Sequence, residues 1–157
     1  MIKIGALFHI MQSKGWSSFE LLARELGNVE YMYYAFGNHI PENKDFLDFY
    51  SFQPSQLDKE FIYSECDIWF SDTKMEGFHN VPAEAALFNC LIVCNRVNSN
   101  GMGDYATEET AERFSSIDEA VRIIKNPDWL KRDKMKVVLN AIGSREYNMS
   151  RFASLIK

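Results

Sequence analysis

The sequence lacks the features that would mark a membrane, secreted or metal-built protein. No window approaches the ~20 consecutive apolar residues that a membrane span requires. The one apolar run near the N-terminus, Ile4 to Met11, is broken by Gly5 and His9 and has no small-residue cleavage site after it, so it reads as a strand and not as a signal. Cysteine is scarce and odd in number. Cys66, Cys90 and Cys94 lie in apolar surroundings, form no C-x-x-C pair, and predict buried free thiols in a reducing cytoplasm. His9, His39 and His79 are scattered with no carboxylate or cysteine partner at a ligand interval, and no metal site is expected. Internal repeats and low-complexity linkers are missing as well. What is present, 157 residues of which 46% are hydrophobic and 25% charged, suffices for one sizeable core and reads as a single domain over 1–157.

Strand and helix patterns alternate along the chain. Ile2 to Phe8 reads as a strand, Gln12 to Gly15 as a polar turn, and Ser18 to Leu26 as a helix opened by a Ser17/Glu20 capping box and closed by Gly27. Val29 to Phe36 and Phe46 to Phe52 are rich enough in β-branched and aromatic residues to be strands. A helix follows from about Pro54, with Ser55 and Asp58 at its start and an apolar stripe of Leu57, Phe61 and Ile62. Asp67 to Ser71, a helix over Ala83 to Phe88, and Leu91 to Cys94 continue the alternation, which predicts an α/β fold with a doubly wound parallel sheet. Ser116 and Glu119 cap a further helix to about Lys125, and beyond Pro127 one or two helices are expected with a break near Gly143.

The chemistry concentrates at Glu76-Gly77-Phe78-His79-Asn80-Val81-Pro82-Ala83-Glu84, two carboxylates with seven residues between them across a loop that enters a helix. Pro82 suits a first helical turn and Asn80 a cap, leaving the amides from Gly77 to Val81 free. Unpaired N–H groups and the positive dipole end bind anions, phosphate above all. Two acids beside a phosphate site make sense when the ligand also carries hydroxyls, as a sugar nucleotide does. The plainer alternative is that Glu84 only complements a helix dipole and Glu76 sits in a solvated loop. In an open parallel sheet the ligand lies beyond the carboxyl ends of the strands, which brings in a second loop, the one carrying His9 and Lys14.

Glu76-Gly77-Phe78, the Pro82 to Ala86 segment and Leu91-Ile92-Val93 together resemble the Glu-seven-Glu signature of retaining glycosyltransferases of the GT-B fold, family 4, where it lies in the C-terminal, donor-binding domain. Lys14-Gly15 is similar to that family's Lys-Gly pair, and Asn100 to Ala106 to its glycine-rich turn with Asp-Tyr-Ala. Two positions depart from the pattern: His9 stands where the family has an arginine, and Asn89 where a glycine ends the signature helix. The resemblance implies hexosyl transfer with retention from a UDP-, GDP- or similar nucleotide sugar. Glu84 would hold the ribose hydroxyls, Glu76 a hydroxyl of the donor sugar, and Lys14, with His9 and Gly15 beside it, the diphosphate. The amides of Gly77, Phe78, His79 and Asn80 would hold sugar and phosphate, with Val81 at the same helix start, while the base would pack near Phe52 and Gln53. No cofactor and no divalent metal are expected, the chain having no Asp-x-Asp.

Charge and completeness set the remaining expectations. Residues 1–120 carry 8 basic against 19 acidic side chains, and 121–157 carry 9 against 3. Trp129 with Lys131, Arg132, Lys134 and Lys136 makes 129–157 a candidate for contact with an anionic membrane surface or a lipid-linked acceptor, against the commoner meaning of a solvated helix face. A cytoplasmic location, peripheral at the inner membrane face, is the corresponding expectation, and no nucleic acid partner is expected. The family's acceptor-binding half precedes the donor half, whereas this sequence begins at Met1 almost on the donor half's first strand. A carbohydrate or lipid-linked acceptor would then need a separate or missing domain. Two other readings stand beside transfer: a module that binds a nucleotide sugar or a partner without turnover, and a phosphoreceiver domain, which the absence of any acid between His9 and Lys14 disfavours.

Overall fold

The structure, a computed structural model, describes residues 1–11, 15–73, 80–97 and 101–156, with side chains as far as Gly143. Apolar runs become strands β1 (Ile2–Phe8), β2 (Tyr31–Gly37), β3 (Phe49–Phe52), β4 (Ile68–Ser71), β5 (Leu91–Asn95) and β6 (Glu112–Phe114). They form one sheet in the order β3-β2-β1-β4-β5-β6, and every pairing is parallel. Helices α1 (Trp16–Leu26), α2 (Gln56–Glu65), α3 (Asn80–Leu87), α4 (Ile117–Lys125) and α5 (Lys131–Ile156) cover both faces. This is a Rossmann-like, doubly wound α/β domain.

Because both faces are covered, the central strands are buried on both sides, as the uninterrupted apolar runs of β4 and β5 require. One core layer lies under α1 and α4 and is aromatic, with Phe19 stacked on Phe70 at 5.9 Å and Phe70 on Phe114 at 5.3 Å. The segment between β2 and β3 seals the same face through Phe46, which packs against Trp16, Phe19 and Tyr33. The other layer, under α2, α3 and α5, is built on Tyr63, Trp69, Ile92, Met135 and Leu139.

Several expectations change in the folded chain. Ser17 is no cap: α1 begins two residues earlier than expected, at Trp16, behind Gly15 in the left-handed region (φ 84°), with no side-chain cap bond. Leu57 and Phe61 lie on the solvent side of α2, and Ile62 and Tyr63 form its buried face. The capping box of Ser55 and Asp58 is present, as is the Ser116 cap of α4. α5 runs unbroken through Gly143, and β6 had no sequence signal of its own. Asn89 does take the left-handed conformation (φ 75°). In the basic arm, Lys131 pairs with Glu112 at 3.1 Å and Arg132 lies over the Trp129 ring at 4.8 Å, so part of its charge is used within the domain. Among the described residues no helix is long and apolar enough to cross a membrane.

One polar network ties the strand ends together. Asp72, just past β4 and 7% exposed, accepts hydrogen bonds from Ser18 Oγ on α1 and, at 2.6 Å, from Asn95 Nδ2 at the end of β5. Asn95 Oδ1 in turn accepts from the Val97 N–H at 2.7 Å. Removing the carboxylate would leave buried donors unpaired, a loss of about 2–3 kcal/mol. Asp72→Ala should therefore lower the melting temperature by roughly 5–10 °C in calorimetry, and an unchanged melting temperature would show that the network contributes nothing.

The three cysteines are free and buried. Burial pushes the Cys90 and Cys94 thiols up from 9.0 to about 12, and raises Cys66, Tyr33, Tyr63 and Tyr105 in the same direction. The unfolded chain thus releases protons at a pH where the folded chain keeps them. This stabilisation is complete below about pH 9 and is lost as pH rises toward 12. Denaturant titrations should show unfolding free energy falling above pH 9, and thiol reagents should label the cysteines only after unfolding. Rapid labelling of the native protein at pH 8 would contradict the burial.

Candidate functional site

The sheet order reverses between β1 and β4, so the connection leaving β1 crosses one face and the connection leaving β4 crosses the other. Beyond these carboxyl ends lies a cleft of about 250 Å³ lined by Leu7, Phe8, His9, Phe36, Gly37, Asn38, His39, Pro54, Lys59 and Val81. Four elements meet there: the ends of β1 and β2 and the first turns of α2 and α3. Gly37 is required by close approach, because a Cβ there would lie 2.5 Å from the Phe8 carbonyl oxygen and 2.8 Å from the Tyr50 hydroxyl. Gly15 is required twice over, by its positive φ and by the Asp72 backbone, 2.9 Å from where its Cβ would stand.

Glu84 sits one turn into α3, half-buried, and its Oε2 accepts a 2.8 Å hydrogen bond from the Tyr63 hydroxyl of α2. Tyr63 is wholly buried against Trp69 and Phe36. Burial first, then the hydrogen bond to Glu84 and its charge, raise the phenol above the ordinary value, so it remains a donor. Glu84 Oε1 accepts no hydrogen bond among the described residues. Lys59 and Tyr63 are four apart on α2, Val81 and Glu84 three apart on α3, so the pairs form successive rungs of one interface, the first at the cleft and the second behind it. Neither Tyr63 nor Lys59 carried a motif in the sequence; a helical i, i+4 pair facing the signature helix is the only trace of them.

The predicted site residues divide three ways. His9, Val81 and Glu84 come together around or behind the cleft, with Asn80 opening α3. His9 Nδ1 accepts the Met11 N–H at 3.1 Å. Gly15 is placed at the start of α1, held against Asp72. Phe52 and Gln53 close β3 next to the cleft but do not line it. Gln53, in the left-handed region (φ 49°), donates its N–H to the Gly37 carbonyl at 2.8 Å, and Pro54 provides the wall instead. Lys14, Glu76, Gly77, Phe78 and His79 lie outside the described residues. Among the described residues no group of three His, Cys, Asp or Glu side chains is placed to hold a metal ion.

His9 also borders a second hollow of about 620 Å³ on the α1 face, walled by Ile10, Met11, Trp16 and Ile40 with Glu20 and Glu42. The Trp16 indole N–H is buried and has no hydrogen-bond partner among the described residues.

No family model matches the sequence, and no curated protein matches it either. Solved structures do match in three dimensions. Anabaena HepE in complex with UDP and glucose superposes with a TM-score of 0.74 over 98% of this chain and 48% of its own, at 15% identity. The trehalose-6-phosphate synthase OtsA gives 0.72 over 98% of this chain and 43% of its own, at 12% identity. The C-terminal domain of the group 1 glycosyl transferase LpcC from Francisella tularensis gives 0.64 over 93% of this chain and 86% of its own, at 16% identity. The chain thus spans about half the length of HepE and matches nearly the whole of an isolated C-terminal domain. At these identities the likeness is one of fold, and the fold is that of one domain of a GT-B glycosyltransferase.

Proposed function

We propose that the chain is the donor-binding domain of a retaining, family 4 type glycosyltransferase, holding a nucleotide diphosphate sugar at the cleft between β1, β2 and the first turns of α2 and α3. The observation that carries the reading is Glu84. Its carboxylate is fixed by Tyr63 behind the cleft, with one oxygen left to accept from a ribose hydroxyl. The fold supports the same reading, since HepE, which shares it, binds UDP-glucose.

In this reading Glu76 accepts from a hydroxyl of the transferred hexose, Lys14 compensates charge on the leaving diphosphate, and the amides from Gly77 to Asn80 orient sugar and phosphate. The leaving diphosphate needs no divalent metal. Transfer also requires an acceptor-binding domain on the far side of the cleft, in the same polypeptide or a separate one, because orientation of the acceptor and exclusion of water come from closing the site. The basic arm from Trp129 is the surface offered to a lipid-linked acceptor or a membrane face. A second reading, binding without transfer, draws on His9: its Nδ1 accepts a backbone N–H, so that ring nitrogen carries no proton and the side chain is a weaker diphosphate clamp than an arginine. Turnover with any acceptor separates the two.

Glu84→Ala should weaken nucleotide binding ten- to hundredfold in calorimetry, the loss of a hydrogen bond to a charged group at about 1.5–3 kcal/mol. Tyr63→Phe, which keeps the packing, should weaken it several-fold. Glu76→Ala should weaken nucleotide sugar and leave bare nucleotide unchanged, and a chelator should alter neither. Unchanged affinity in Glu84→Ala would remove this residue from the site, and binding abolished by chelation would overturn the metal-free account.

A further inference from the structure

The described lining of the cleft carries a lysine and no carboxylate in an acidic protein. Over residues 1–120 acidic side chains outnumber basic ones 19 to 8, yet among the described residues no carboxylate lines this cleft, while Lys59 does, with His9 and His39 beside it. Two other large hollows carry carboxylates: Glu20 and Glu42 beside His9 in one, and Glu20, Asp45 and Asp48 against the single cation Arg24 in the other. Lys59, in the first turn of α2, is half-buried, with its Nζ 5.9 Å from the centroid of the Phe36 ring that floors the cleft. It makes no ion pair among the described residues. The carboxylate shared by α2 and α3, Glu84, lies one rung behind and is engaged by Tyr63.

We propose that Lys59 is an anion-binding residue of this cleft and contacts a phosphate of the bound nucleoside diphosphate, with His9 and His39 as its polar surround. The proposal rests on the nucleotide-sugar reading above and adds to it a residue that no motif marks. Lysine is well matched to a phosphate here, being a compact cation with three donors, and the Lys59 ammonium lies over the Phe36 ring among the residues that line the cleft. Segregation of charge is the physical reason. Hydroxyl-accepting carboxylates and phosphate-binding cations serve one ligand only if they stand apart, and the α2/α3 interface separates them by one helical turn.

The test is calorimetry on the full chain with UDP, GDP and ADP and the corresponding nucleosides, using wild type, Lys59→Gln and Lys59→Arg. The diphosphate that wild type binds should lose roughly ten- to hundredfold affinity in Lys59→Gln. Lys59→Arg should stay close to wild type, and the nucleoside should bind all three alike. Equal diphosphate affinity in wild type and Lys59→Gln overturns the role of Lys59 and leaves the nucleotide reading standing. So does an equal loss for nucleoside and diphosphate, which would place Lys59 on the base or ribose. Failure of wild type to bind any diphosphate or nucleotide sugar overturns both. Should Lys59→Gln not fold, salt decides: wild-type affinity for the diphosphate must fall as ionic strength rises, and salt-independent binding refutes the proposal.

Discussion

All six strands point the same way, so each connection must return over a face of the sheet, and at the β1–β4 boundary the faces change. The chain leaving β1 leads to α1 on one face and the chain leaving β4 to α3 on the other, and the cleft lined by the ends of β1 and β2 opens at this boundary. Everything proposed about function depends on this opening. Its rim is held by contacts that tolerate little change: Gly15 pressed on Asp72, Gly37 on Phe8, and the Asp72 carboxylate answered from α1 and β5 at once.

Around the opening, polar groups are sorted by sign. Among the described residues the carboxylate Glu84 sits on α3, while the cation Lys59 sits on α2. A ligand carrying both hydroxyls and phosphates reads both. Tyr63 is the element that keeps the sorting fixed, since it spends its hydroxyl on Glu84 and its ring on the core.

The fold was legible because its cues are local: apolar strands of four to seven residues, a capping box at Ser55, a cap at Ser116, and a left-handed Asn89. Ser17 misled because Gly15, needed for its approach to Asp72, starts the helix earlier than the capping pattern suggests. Leu57 and Phe61 misled because a helix beside an edge strand leaves apolar side chains exposed, and Phe61 packs on Phe49 at 5.6 Å outside the core. β6 is three residues long and exists through its ladder to β5, which a single sequence cannot display. Of the site, the Glu-seven-Glu spacing made Glu84 visible. Tyr63 and Lys59 were not, because their roles arise where α2 meets α3, a relation of space with no fixed interval in sequence.

The central claim is that the opening between β1, β2, α2 and α3 is where a nucleotide sugar binds. Titration of the isotopically labelled protein with UDP-glucose, followed by amide chemical shifts, tests it most directly. The account predicts shifts confined to Gly37, Asn38, Lys59, Val81, Glu84 and their neighbours. No shifts, or shifts gathered instead around Trp16 and Glu42 on the α1 face, would contradict it.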